Sequence, residues 1–148
     1  MGPLTAPTGA PAYLDVNSFI YTVERIDPHR TALDPFWRDV RTYGARVVTS
    51  KLSWLEVLTG PLKAGDVVLE TTYRAVLDTS PDVRMLPISR AVLERAARPR
   101  AGTGLKTPDA IHAATALAGG RALFVTNDAA FRRVPGLNVI VLRDLLTP

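Results

Sequence analysis

Cysteine is absent from the 148 residues of this sequence. Disulfide bonds and thiolate chemistry are therefore excluded, and a zinc site would have to use the two histidines, His29 and His112, together with carboxylates. No apolar stretch is long enough to span a bilayer, and the first residues lack the charged start and apolar middle of a secretory signal. These absences predict a soluble protein of the cytoplasm and disfavour a zinc enzyme.

The composition indicates one folded domain. Hydrophobic residues make up 47% of the chain, which argues against disorder, and the length suits a single core. Residues 1–11 contain three prolines and two glycines without periodicity, so we expect a flexible leader followed by one domain over residues 12–148. Lysine and arginine outnumber the acids 18 to 14, and this net charge of +4 permits a polyanionic partner without establishing one.

Short apolar runs alternate with helical patterns along the whole chain. This order is typical of an α/β protein in which helices cover both faces of a parallel sheet, that is, a three-layer α/β/α fold. We expect Asp34 and Pro35 to open one helix, Gly60 and Pro61 to end another, and residues 99–104 to form a loop. Strands are expected at residues 12–15, 46–49, 83–88, 122–128 and 138–142.

Four acids stand where a strand ends or a helix begins: Asp15, Glu56, Asp109 and Asp128. Each has a simpler interpretation as well, because Asp109 follows Thr107 and Pro108 at a helix start and Asp128 suits a helix cap. Glu56 lies at the edge of an apolar helix face, which directs it toward the body of the protein. An α/β sheet places its ligand site at the carboxyl ends of its strands, so the four acids are expected to converge.

Four converging negative charges require a counter-charge. The ordinary solution is a hard divalent cation with oxygen ligands, and Mg²⁺ or Mn²⁺ brings phosphate chemistry with it. Basic residues crowd the segment that leads to Asp109 and would allow a phosphate backbone to approach: Arg95, Arg98, Arg100 and Lys106. The alternative is that they form the solvated face of an ordinary helix, and Arg132 and Arg133 allow the same two interpretations.

The order and setting of these acids resemble the PIN domain, most closely the VapC-type ribonuclease toxins of prokaryotic toxin-antitoxin pairs. The resemblance rests on residues 13–20 around Asp15, residues 53–58 around Glu56, residues 105–116 around Asp109 and residues 125–131 around Asp128. It implies a central parallel sheet of four to five strands, RNA cleavage by metal-activated water with Mg²⁺ or Mn²⁺, a homodimer and a cognate antitoxin protein.

The resemblance also assigns roles to residues. Asp15, Glu56, Asp109 and Asp128 become the metal-binding and catalytic quartet, and Asn17 and Thr126 orient a carboxylate or a water on the metal. His112 lies one turn after Asp109 and either contacts the site or, as we expect, is a packed and hydrogen-bonded histidine.

Two other functions remain open from the sequence. One is a catalytically silent PIN-like module that binds RNA or protein. The other is a phosphohydrolase of the haloacid dehalogenase type, which the segment Asp15-Val16-Asn17 superficially resembles.

Overall fold

Five short strands form one sheet in the computed structural model, which describes residues 2–120 and 123–146. All neighbouring strands pair in parallel, in the order β3-β2-β1-β4-β5. The strands are β1 (Ala12–Leu14), β2 (Val47–Ser50), β3 (Val83–Leu86), β4 (Leu123–Thr126) and β5 (Asn138–Val141). Ala122, with which the predicted fourth strand begins, lies outside the described residues.

Helices cover both faces of this sheet, which confirms the predicted three-layer α/β/α fold. They are α1 (Val16–Val23), α2 (His29–Tyr43), α3 (Leu52–Ala64), α4 (Val67–Arg74), α5 (Arg90–Thr103) and α6 (Thr107–Ala118). A π-helical turn (Ala75–Thr79) continues α4, and short 3₁₀ helices follow β4 (Ala129–Arg133) and β5 (Leu142–Leu145).

Two apolar clusters hold the layers together. Leu14 and Phe19 pack with residues of α2 and α3 on one face, whereas Tyr13 and Phe124 pack with the alanines of α6 on the other. Consecutive side chains of a strand point to opposite faces, so Tyr13 and Leu14 belong to different clusters. The small side chains of α6 let this helix lie close to the sheet, and this close packing brings its first turn to the strand ends.

Three predicted helix boundaries were wrong, each at a proline. Helix α2 begins at His29 and contains Pro35, α3 continues through Pro61 to Ala64, and residues 99–103 are the last turns of α5 instead of a loop. A proline inside a helix costs on the order of 3 kcal/mol. Pro61 and Pro99 are buried, so tertiary packing offsets this cost, and each helix ends at a glycine with positive φ instead.

The N-terminal segment contacts the domain in two places. Leu4 is buried in the first cluster, and the Ala6 N–H donates to Asp39 Oδ2 over 3.1 Å. A flexible leader over residues 1–11 and a domain reaching residue 148 remain predictions, and Met1, Thr147 and Pro148 lie outside the described residues. Among the helices of the described part, none has the length and apolar character needed to cross a bilayer.

Candidate acidic site at the carboxyl edge of the sheet

The topology directs all four predicted acids to one edge of the sheet. Asp15 follows β1, and Asp128 lies two residues beyond β4, which pairs with β1 through Leu14 and Val125. Helix α6 leads into the parallel strand β4, so its first turn, with Asp109, lies at the carboxyl edge. Helix α3 leaves the carboxyl end of β2 and carries Glu56. This edge is where open α/β sheets bind ligands.

Asp15 is buried, and its carboxylate is held from two sides. Asp15 itself is the N-cap of α1: its Oδ1 accepts hydrogen bonds from the backbone N–H and the hydroxyl of Ser18, both at 3.2 Å. Its Oδ2 accepts from Thr126 Oγ1 at 2.5 Å. Burial raises the pKa of Asp15, and the hydrogen bonds from Thr126 and Ser18 offset this only in part.

Thr126 connects Asp15 to Asp128. Its hydroxyl oxygen accepts the Asp128 N–H at 3.0 Å while its hydrogen goes to Asp15, so one side chain fixes two of the acids. Asp128 is exposed and uses Oδ1 to accept the Ala130 N–H at 2.9 Å, which caps the 3₁₀ helix. Asn17 is exposed, and its side chain makes no hydrogen bond within the described residues, so only Thr126 has a contact that suits the orienting role predicted for both.

Asp109 lies in the first turn of α6, whose N-cap is Lys106. Burial raises the pKa of Asp109, and the negative charges of Asp128 and Glu56 raise it further, whereas His112 and Lys106 lower it. Within the described residues its carboxylate has no hydrogen bond or ion pair. Asp109 therefore lies in the combined field of two other acids without a protein cation bound to it.

A hydrogen bond to His112 connects Glu56 to the interior of the protein. Glu56 Oε1 lies 2.6 Å from His112 Nε2, and His112 Nδ1 lies 2.6 Å from the hydroxyl of Tyr13. The histidine is buried and hydrogen-bonded, as expected, and it also contacts the quartet. Tyr13 was missed by sequence reasoning. The available signal was its position two residues before Asp15, because strand alternation puts residues 13 and 15 on one face.

The resemblance to the PIN domain implies a divalent cation, and the oxygen ligands present here suit one. The negative charges of Asp128 and Glu56 raise the pKa of Asp109, and a bound cation would relieve this repulsion. In residues 2–120 and 123–146, however, no group of three or more histidines or acids is already arranged around a cation position. Binding would therefore require some of these side chains to change conformation, and Asp128 is exposed and Asp109 half-buried.

The four basic residues that precede Asp109 differ in their contacts. Arg95 and Arg98 are exposed on α5, and their side chains have no hydrogen-bond or ion-pair partner within the described part of the chain. Arg100 donates through Nη1 to the carbonyl of Leu105 at 2.9 Å, so it also holds the connection between α5 and α6. Lys106 is exposed at the start of α6, next to the acids.

Comparison with known proteins places this site in context. The family model described as the PIN domain matches residues 12–137. The chain is 25% identical to a protein in the crystal structure of VapBC-5 from Mycobacterium tuberculosis, covering 89% of this chain and 97% of the other with a TM-score of 0.58.

Two further solved structures share the fold. A toxin-antitoxin complex from Klebsiella pneumoniae contains a chain with 24% identity, coverage of 88% and 97%, and a TM-score of 0.62. DNA-bound VapBC from Salmonella typhimurium gives 19% identity, coverage of 90% and 98%, and a TM-score of 0.68. A comparison with curated proteins found no match.

Proposed function

Because this chain belongs to the PIN domain family, whose model matches residues 12–137, we propose that it is a metal-dependent endoribonuclease. The observation that carries the proposal is the field around Asp109. Burial and the charges of Asp128 and Glu56 raise the pKa of this carboxyl group, and within the described residues no side chain is paired with it. Two negative neighbours do not stabilise a carboxylate whose only role is at a helix start, whereas a cation site needs several negative ligands.

Mg²⁺, or Mn²⁺ in its place, would be held by Asp15 and Asp109 with Glu56 and Asp128. When bound, such an ion stabilises the charge that develops on a phosphodiester and lowers the pKa of water. Thr126 and Ser18 keep the Asp15 carboxylate in one orientation, so that it is preorganised for a ligand.

The basic residues of α5 and the α5–α6 connection have a separate role in this proposal. Arg95, Arg98 and Lys106 are exposed, and they would contact the backbone phosphates of RNA without taking part in bond cleavage. Arg100 shares this role only in part, because one of its nitrogens is already bound to Leu105 O. Positive charge beside the acids lets a polyanion approach a site that would otherwise repel it.

We further propose that the protein is the toxin of a toxin-antitoxin pair. Support comes from the resemblance to VapBC-5 and to the Klebsiella toxin-antitoxin complex over most of both chains. A homodimer, a cognate antitoxin that suppresses the nuclease, and a cytoplasmic location complete the proposal.

The decisive experiment uses purified protein free of any antitoxin. A mixed pool of labelled RNA is incubated with EDTA, Mg²⁺ or Mn²⁺, and the ends of the products are sequenced. We expect cleavage only with metal, and loss of cleavage in the Asp15→Asn variant. RNA binding without cleavage at any metal concentration would indicate a silent module. Release of inorganic phosphate from small phosphoesters without RNA cleavage would indicate a phosphohydrolase.

A further inference from the structure

A chain of hydrogen bonds runs from the backbone of β2 to the candidate site. The Ser50 N–H donates to the Tyr13 hydroxyl at 3.1 Å, this hydroxyl lies 2.6 Å from His112 Nδ1, and His112 Nε2 lies 2.6 Å from Glu56 Oε1. Tyr13 is 0% exposed and His112 is 2% exposed. Four elements, β1, β2, α3 and α6, therefore meet in one buried polar path.

The positions of the hydrogens in this path follow from Tyr13. A tyrosine hydroxyl ordinarily carries its hydrogen near neutral pH, and that of Tyr13 is buried. A buried O–H requires an acceptor, and the Ser50 N–H is a donor, so the hydrogen is directed to Nδ1 of His112. A neutral imidazole that accepts at Nδ1 carries its hydrogen on Nε2. His112 then donates from Nε2 to Glu56 Oε1.

We propose that His112 is a positioning residue for Glu56 and that Tyr13 selects the tautomer in which His112 can do this. The inference rests on the proposed function, because it concerns how Glu56 is presented to a cation. With Oε1 held by His112, the carboxylate is fixed in orientation, and Oε2 has no hydrogen-bond partner within the described residues. Helix α6 then serves the site twice, directly through Asp109 and one turn later through His112.

A purely structural role for the same two residues makes a different prediction. Tyr13 stacks on Phe124 and contacts the ring of His112 edge-on, so both side chains also fill the second apolar cluster. If they only fill the core, their replacement lowers stability and leaves the affinity for metal unchanged. Positioning residues behind a metal ligand typically change metal affinity on the order of 10- to 100-fold.

Two amide substitutions separate these roles. In His112→Gln the amide N–H falls close to the position of Nε2 and reaches Glu56. In His112→Asn the side chain is shorter, so its amide reaches only toward Tyr13. Both variants lose the packing of the ring, and they differ from each other by one methylene group and by the position of the amide. Thr115→Val serves as a control, because Thr115 is 1% exposed on the same helix and, among the described residues, its hydroxyl bonds only to the Ile111 carbonyl.

The probe is Mn²⁺ alone, with its free fraction measured by electron paramagnetic resonance in the absence of RNA. We expect His112→Asn to bind Mn²⁺ more weakly than the parent on the order of 10- to 100-fold. His112→Gln should stay closer to the parent than His112→Asn, and Thr115→Val should match the parent. Equal affinities for the Gln and Asn variants, whether parental or reduced, would overturn the proposal.

A second measurement determines the tautomer of His112 in the parent protein itself. The ¹⁵N NMR spectrum of histidine-labelled, metal-free parent protein should show His112 with a hydrogen on Nε2 and none on Nδ1. In Tyr13→Phe this preference should weaken, because Nδ1 loses its donor. A hydrogen on Nδ1 in the parent would overturn the proposed direction of the path.

The design also separates failure of this inference from failure of the proposed function. If Asp15→Asn binds Mn²⁺ as the parent does, the carboxylates are not the metal site and the proposed function fails. If Asp15→Asn loses Mn²⁺ while His112→Asn retains parental affinity, the metal site stands and the positioning role of His112 is wrong.

Discussion

Replacing Asp15 by Asn removes one charge and exchanges one oxygen for an amide nitrogen. Asn is as good an N-cap as Asp, so its remaining oxygen can still accept the N–H of Ser18. The amide nitrogen then faces the Thr126 hydroxyl, which donated its hydrogen to Oδ2 in the parent. The substitution therefore keeps the helix start, loses one charge-assisted hydrogen bond and deletes a ligand from the proposed cation site.

The expected change in metal-free stability is small because two effects oppose each other. A hydrogen bond to a charged group contributes about 1.5–3 kcal/mol. Against this loss, Asn avoids the burial of a charge, and the raised pKa of Asp15 shows that burial outweighs the hydrogen bonds to its carboxylate. We expect the free energy of unfolding without metal to change by less than about 2 kcal/mol in either direction.

Metal should separate the two proteins clearly. At ten times its Kd, an ion that binds only the native state stabilises it by about 1.4 kcal/mol. For a chain of this size this corresponds to a rise in Tm of roughly 3–6 °C. We expect such a rise in the parent with Mn²⁺ and almost none in Asp15→Asn, measured by thermal unfolding at matched ionic strength.

Asp78→Asn is the matched control for this experiment. Asp78 is exposed outside the carboxyl edge, so its replacement removes the same charge without touching the candidate site. It should keep the parental rise in Tm and the parental rate of RNA cleavage. An equal Mn²⁺ response in Asp15→Asn and the parent would refute the assignment of Asp15. A metal-free loss far above 2 kcal/mol would instead give Asp15 a mainly structural role.

The strand ends could be predicted from the sequence because their signals are local. Asp15 and Asp128 each follow a short apolar run, and the hydrophobic period alone places them at the end of a buried strand. The parallel order of the sheet also follows from local patterns, since each strand is separated from the next by helical segments. Short stretches of sequence are therefore largely sufficient to predict that Asp15 and Asp128 lie close together.

The contacts of His112 could not be predicted in this way. Its partners Tyr13 and Glu56 are 99 and 56 residues away in the chain, and they meet only because α6 packs closely on the sheet and beside α3. Pro99 shows the same limit for the fold. Local propensity predicts a loop there, but burial of Pro99 and the bond from Arg100 to Leu105 O keep the segment helical.

Three further predictions test the site by independent means. Asp109→Asn should abolish cleavage without lowering metal-free stability, since it relieves repulsion from Asp128 and Glu56, and near-parental turnover at saturating Mg²⁺ would contradict its role. The pKa values of Asp15 and Asp109 are raised above the ordinary 3.8, so metal-free stability should fall as pH rises from about that value toward neutrality. In urea unfolding experiments, this fall should be shallower for the variant with Asn at both positions than for the parent. Replacing four basic residues by glutamine, namely Arg95, Arg98, Arg100 and Lys106, should weaken RNA binding and flatten its salt dependence, because fewer counterions are released. Single-turnover cleavage at saturating RNA should stay near the parental rate. Unchanged affinity and salt slope would show that other residues bind the RNA phosphates.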